Sequence, residues 1–196
     1  MIKEEFFPTI VYGFDLPMAT HLNQQLERDI IEWSRQDKGL RKTNVKGWHS
    51  QTDMQTKPEY KPLIDQLFLA MRHVWDDQHL DQEPVLGNMW ANINPPGGYN
   101  QSHIHANSLF SGVYYIKSNL KSGRLKIHDP RPGVQIIMPI RTKTEIPKPL
   151  WRDASLDPVP GRILIFPSWV WHAVEPNESN DIRISVSFNF IQKGFS

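Results

Sequence analysis

Ile182-Arg183-Ile184-Ser185-Val186-Ser187-Phe188-Asn189-Phe190-Ile191 alternates strictly between apolar and polar side chains. Strand side chains point to opposite faces with a period of two. One face of this segment is therefore Ile182, Ile184, Val186, Phe188 and Phe190, and the other is Arg183, Ser185, Ser187 and Asn189. The apolar face must pack on a core. The polar face has two serines and an asparagine, where a solvated surface would carry more charge. A polar barrel interior explains it better, so the segment reads as the closing strand of a barrel or sandwich.

Upstream of it, the texture from Val85 onward is a series of short β-like runs broken by Gly, Pro and Asn. Strands are expected near 85–94, 101–105, 109–117, 123–128, 133–138, 161–166, 169–174 and 182–191. The first 80 residues read differently. Residues 5–14 suit an edge strand with a proline. Thr20 can cap a helix over about 21–36, where Leu22, Leu26, Ile30 and Trp33 recur at helical spacing. Pro62 opens a second helix, about 61–77, with Ile64, Leu67, Phe68, Met71, Val74 and Trp75 as an apolar stripe. The fold class is thus α+β, mainly β: a double-stranded β-helix, or jelly-roll, core with two N-terminal helices packed on the sheet. The expected organisation is a single domain over 1–196, with 1–80 as helical support and 85–196 as the jelly-roll core.

The polar face gains meaning from three histidines. His103-Ile104-His105 puts two imidazoles on one side of an extended segment, just after Asn-Pro-Pro-Gly-Gly-Tyr-Asn-Gln-Ser. His172 follows an apolar strand and a turn, Gly161-Arg-Ile-Leu-Ile-Phe-Pro-Ser-Trp-Val-Trp-His172. A lone histidine is more often a satisfied surface or core residue, but an i, i+2 pair at a strand entrance delivers two ligands from one strand. Three protein ligands on one face of an octahedron leave open positions for small molecules. Arg183, with Ser185 at the next position on the same face, supplies a fork for a carboxylate and a hydroxyl to assist it. The pattern reads as a metal centre beside an acid-binding slot. A second arrangement, with only one of His103 and His105 ligating and Asp129 or water completing the face, stays open.

Composition narrows the field. At 196 residues the chain can bury a substantial core without staples. The net charge is +1 with dispersed Lys and Arg, which argues for neither a nucleic-acid surface nor a membrane-facing helix. Cysteine is absent, so any metal is held by nitrogen and oxygen. The N-terminus MIKEEFFPTI lacks a signal-peptide pattern and no apolar run reaches the length of a membrane span, so a soluble, cytoplasmic protein is expected.

His-x-His, a distal His and Arg-x-Ser together resemble the 2-oxoglutarate/Fe(II)-dependent dioxygenases. More narrowly, Gly47-Trp48-His49-Ser50, Leu109-Phe110-Ser111-Gly112-Val113-Tyr114-Tyr115, Asp129-Pro130-Arg131, Phe166-Pro167-Ser168-Trp169 and Arg183-Ile184-Ser185-Val186-Ser187-Phe188-Asn189 look like the 2OG-Fe(II) oxygenase proteins of marine bacteria and their phages. The resemblance runs from about Gly47 to the C-terminus. It implies Fe(II) as metal, 2-oxoglutarate and O₂ as co-substrates, and hydroxylation of a prime substrate with release of succinate and CO₂. It also implies His103, His105 and His172 as ligands, with Arg183 and Ser185 on the distal carboxylate of 2-oxoglutarate. Tyr115, Asn92, Tyr114 and Asn94 are further candidates for co-substrate contacts. The chain departs from the wider family at His105, where Asp or Glu is usual.

Two rival readings follow from the same residues. A cupin-type three-His dioxygenase or isomerase needs neither Arg183 nor Ser185. A non-enzymatic jelly-roll binding protein needs no iron. The segment 139–160, with five prolines and no period, suits a mobile lid carrying Arg141, Lys143, Lys148 and Arg152. Arg131 suits either a substrate anion or a simple turn. Trp48, His49 and Ser50 carry the resemblance without a mechanism. Homodimerisation is left open.

Overall fold

In the computed structural model the alternating closing strand becomes the middle of a sheet, buried on both faces. The structure describes residues 1–134, 136, 139–142 and 145–193. Eleven strands and two α-helices are formed among them: β1 Tyr12–Asp15, α1 Ala19–Gln36, β2 Asn44–Val45, β3 Trp48–His49, α2 Lys61–Asp77, β4 Pro84–Asn94, β5 Tyr99–His103, β6 Phe110–Lys117, β7 Leu125–His128, β8 Asp153–Leu156, β9 Arg162–Pro167, β10 His172–Val174 and β11 Arg183–Gln192. They build a six-stranded sheet in the order β1-β9-β6-β11-β4-β3 and a five-stranded sheet in the order β2-β5-β10-β7-β8. Every strand pair is antiparallel. No described helix is long and apolar enough to cross a membrane.

The outward face of the larger sheet carries the main core. Ile184, Val186, Phe188 and Phe190 of β11 join Met89 and Ala91 of β4, Tyr114 and Ile116 of β6, and Ile163 and Ile165 of β9. Leu26 and Ile30 of α1 and Leu63, Leu67, Met71 and Val74 of α2 cover them. Burying each such side chain contributes about 1.5–3 kcal/mol, which explains why the helices lie on this face. Gly112 sits opposite Phe188, and a methyl group there would collide with the Phe188 ring and the Leu164 carbonyl. Between the sheets, a smaller cluster of Val113, Tyr115, Leu125, Ile127, Leu164, Phe166 and Val170 closes one wall.

Register fixes what faces inward. Opposite β11, residues Asn94, Asn92, Trp90 and Asn88 of β4 meet Arg183, Ser185, Ser187 and Asn189. The pairing then slips: Phe190 meets Leu86, and Gly87 is the extra residue. On the other side Ser185, Ser187 and Asn189 meet Tyr115, Val113 and Ser111 of β6.

Three expectations need correction. The first helix begins at Ala19 after Met18, which sits at φ 55° and offers no side-chain cap, so Thr20 is a helical residue and not the cap. The chain enters this helix straight from the sheet edge, with Leu16 N–H bonded to Gly161 O at 2.9 Å, and that geometry sets the start. Residues 153–156, assigned to a lid, are strand β8, paired with β7 and resting Ala154 and Leu156 on the inter-sheet cluster. The strand expected over 133–138 is replaced by turns at Pro132–Val134 and Ile136, with Val134 N–H bonded to Arg131 O. Residues 135, 137 and 138 of that expectation, and Lys143 of the lid, lie outside the described residues.

Candidate metal centre

His103 ends β5 and His172 opens β10, and these two residues are direct partners in the antiparallel pair. His105 lies two residues beyond β5, anchored by its N–H to Ser168 O at 3.0 Å in the turn before β10. One strand junction thus brings all three imidazoles together. Each offers a ring nitrogen within 4.8 Å of the others. His105 Nε2 and His172 Nε2 are 3.3 Å apart. Two nitrogens bound at right angles about 2.1 Å from one ion would be roughly 3 Å apart, so this spacing fits a shared cation.

Two of the rings are held ready for this by the backbone. His103 Nδ1 lies 2.7 Å from Gln101 O and His172 Nδ1 lies 2.9 Å from Val170 O. A carbonyl can only accept, so both Nδ1 atoms carry the proton and both Nε2 lone pairs are free. Burial pushes the histidines down: His105 to about 4, His172 to about 3, with His103 also lowered, and neighbouring imidazoles add to the effect for His105 and His172. The three are neutral at pH 7, the form that ligates.

The centre opens into a cavity of about 350 Å³ between the two sheets. At one end lies Arg183, 1% exposed. Its Nη1 donates to Ser185 Oγ at 2.9 Å and to Asn94 Oδ1 at 3.4 Å, and its guanidinium carbon lies 5.1 Å from the Tyr115 ring centroid. Arg183 Nε, Tyr115 OH and Asn92 Oδ1 are sealed from solvent with no hydrogen-bond partner among the described residues. No carboxylate pairs with Arg183 there either. Burial pushes the guanidinium pKa down and the Tyr115 phenol up. A buried cation without a counter-ion is costly, and an entering anion would relieve it.

The sequence candidates sort cleanly. His103, His105, His172, Arg183, Ser185 and Asn92 line this cavity, and Tyr115 faces Arg183 from β6. Tyr114 points to the helical side, where its hydroxyl donates to Asn23 Oδ1 at 2.6 Å. Asp129 does not join the histidines, because its carboxylate accepts from Arg131 N, Nε and Nη2. That contact also makes Arg131 part of an Asx-type turn.

Sequence reasoning missed the part played by His49. It is buried, stacked on Trp90 at 5.5 Å and 9°, and it lines the cavity as a fourth imidazole. Its Nδ1 faces Ser50 O at 2.7 Å, which leaves Nε2 as an acceptor. Burial, with Lys42 and His103 nearby, keeps it neutral. The pairing of β3 with β4, His49 opposite Asn92, puts it there, and nothing in a two-residue strand signals that.

Residues 88–189 match the family model described as "Putative 2OG-Fe(II) oxygenase", slightly more than half of the chain. The chain belongs to the 2OG-Fe(II) oxygenase family. The oxygenase is therefore an oxidoreductase that depends on Fe(II) and 2-oxoglutarate. Its fold is similar to a Pseudomonas putida prolyl-4-hydroxylase (16% identity, TM-score 0.67, covering 95% of this chain and 94% of that one). It is also similar to the α-ketoglutarate-dependent epimerase SnoN of nogalamycin biosynthesis (9%, 0.70, 94% and 77%). A third neighbour is HygX from Streptomyces hygroscopicus, solved with nickel, 2-oxoglutarate and hygromycin B (9%, 0.65, 96% and 85%). At these identities the likeness speaks for the jelly-roll fold. No curated protein matches the oxygenase in sequence. The family match disfavours the cupin and non-enzymatic readings.

Proposed function

We propose that the oxygenase hydroxylates its prime substrate from a centre in which His103, His105 and His172 hold Fe(II) and Arg183 binds the distal carboxylate of 2-oxoglutarate. The observation that carries this is the buried Arg183, with Nε unbonded and no carboxylate partner among the described residues, in the same cavity as three convergent imidazoles. When bound, Fe(II) would let O₂ act as the oxidant with 2-oxoglutarate as co-reductant, one oxygen atom going to the prime substrate and the other to succinate, with release of CO₂. The chain's own residues bind and orient. Arg183 meets the distal carboxylate while Ser185 Oγ holds one arm of the guanidinium, and the unbonded Tyr115 OH beside Arg183 is a further donor for that carboxylate. Val113, Leu125 and Phe166 give that part of the wall an apolar surface that excludes water.

For the prime substrate, the lining offers His49 Nε2 as an acceptor and Lys42 as a cation, with no carboxylate among the described lining residues. This supports a neutral or anionic substrate that brings an N–H or O–H donor. The helices over 19–36 and 61–77 share one core with strands from 84 onward, which supports reading 1–196 as one domain.

The test is an anaerobic titration of the Fe(II) protein with 2-oxoglutarate, following the visible charge-transfer band. The band is expected in the wild type and absent in His172→Ala. A wild-type protein that binds 2-oxoglutarate without developing the band would overturn the assignment.

A further inference from the structure

His103 and His172 are oriented by backbone carbonyls, but His105 is oriented by a side chain. Its Nδ1 lies 3.5 Å from Asn189 Nδ2 and has no other partner among the described residues. The Asn189 amide is itself held twice. Its Oδ1 accepts from Ser111 Oγ at 2.7 Å, and its Nδ2 donates to Asn88 Oδ1 at 2.7 Å. Ser111 Oγ is 2.8 Å from Ser168 Oγ, so Ser168 is the donor in that pair. Asn189, Ser111 and Ser168 are all buried.

Proton counting along this string has a consequence. An N–H of Asn189 faces His105 Nδ1, so that nitrogen must be bare and the ring proton sits on Nε2. His105 Nε2–H then points at His172 Nε2, 3.3 Å away, whose lone pair is free because His172 Nδ1 donates to Val170 O. His105 and His172 satisfy one another this way, with a proton between two nitrogens that a cation would use, while His103 Nε2 keeps its free lone pair. For Nε2 of His105 to ligate, its proton must be on Nδ1 and needs an acceptor. Asn189 Oδ1 can serve if the amide turns over. Nδ2 then donates to Ser111 Oγ, Ser111 donates to Ser168, and the Asn88 amide turns to donate in its place. Every group in the string can reverse.

We propose that Asn189 is a positioning residue for His105, its side-chain amide setting which imidazole nitrogen carries the proton and so whether Nε2 takes the metal. This rests on the reading of His105 as a ligand. Nitrogen-15 NMR of the metal-free wild type reads the tautomer directly, with the His105 signals assigned by their loss in His105→Gln. The expected result is protonated Nε2 in the metal-free protein and protonated Nδ1 once Zn(II) is added as a diamagnetic probe. Asn189→Asp presents only acceptors, so its His105 should carry the proton on Nδ1 even without metal, and its Zn(II) affinity should equal or exceed the wild type. Asn189→Leu should weaken Zn(II) about 10–100-fold, the usual effect of losing a group that orients a ligand. Protonated Nδ1 in the metal-free wild type, or the same tautomer in wild type and Asn189→Asp, would overturn the proposal. If His105→Gln binds Zn(II) as tightly as wild type, the ligand reading fails instead, while the metal-free spectra still decide what Asn189 does.

Discussion

His103 and His172 are direct cross-strand partners, with ring centroids 4.3 Å apart, although 69 positions separate them in the chain. Pairing of β5 with β10 is therefore the event that assembles the centre. Replacing either histidine by alanine is expected to abolish stoichiometric Fe(II) binding while leaving the far-UV circular dichroism spectrum unchanged. Retention of tight iron by His172→Ala would remove that residue from the site.

Arg183 yields a prediction of opposite sign in the free and bound protein. Charge-assisted bonds are worth about 1.5–3 kcal/mol, so Arg183→Met should raise the 2-oxoglutarate requirement at least tenfold. The same change removes an unpaired buried cation, so the free variant should melt at or above the wild-type temperature. 2-Oxoglutarate should raise the melting temperature of the wild type and leave the variant unmoved. Lysine should not restore binding, because it offers a point charge in place of a fork.

The buried His49 and His172 and the half-buried His103 and His105 make stability depend on pH. Folding holds His49, His103, His105 and His172 below the ordinary value of 6.5, so the unfolded chain takes up protons first as the solution is acidified. Their contribution is fully present above about pH 6.5 and is lost downward toward about 4 and about 3, where His105 and His172 protonate in the fold. Each differential proton changes stability by about 1.4 kcal/mol per pH unit. Urea midpoints of the metal-free protein should fall between about pH 7 and about pH 5. The lowered carboxylates Asp15, Asp129, Asp153 and Asp181 add their own loss below their ordinary 3.8, overlapping only the end of the histidine window and lying well below the range from about pH 7 to about pH 5. A flat profile between about pH 7 and about pH 5 would contradict the burial of these rings.

Gly112→Ala tests the packing of β6 on β11. The added methyl meets the Phe188 ring and the Leu164 carbonyl, and overpacking of this kind costs about 1–3 kcal/mol. The denaturation midpoint should drop accordingly. An unchanged midpoint would mean that the two strands can separate to make room.

The sequence showed most clearly what periodicity enforces. The two-residue alternation of β11 announced both the core under the helices and the polar wall, because each face meets a different environment along its whole length. The spacing of His103 and His105 announced the pair, but β5 ends at His103, and the bond from His105 N–H to Ser168 O, not strand alternation, brings the second ring to the site. What stayed hidden lacks a period. β8 has only Ala154 and Leu156 to show, among prolines. His49 enters the cavity because β3 pairs with β4, a long-range event with two residues of local signal. Asn189 was visible as a polar residue on the right face, but its relation to His105 depends on where the turn after β5 leads.

The one-residue slip at Gly87 determines where the chain can tolerate change in length. From Asn88 to Asn94 the register is unbroken, and each inward side chain of β4 is matched to one of β11. Inserting or deleting a residue within that run would turn the polar wall toward the helices and push the core into the cavity. On the far side of Gly87 the phase is already reset, so an added residue there is absorbed by the existing bulge. Natural or engineered variation in strand length belongs at that end, where the distance between the arginine and the histidines stays fixed.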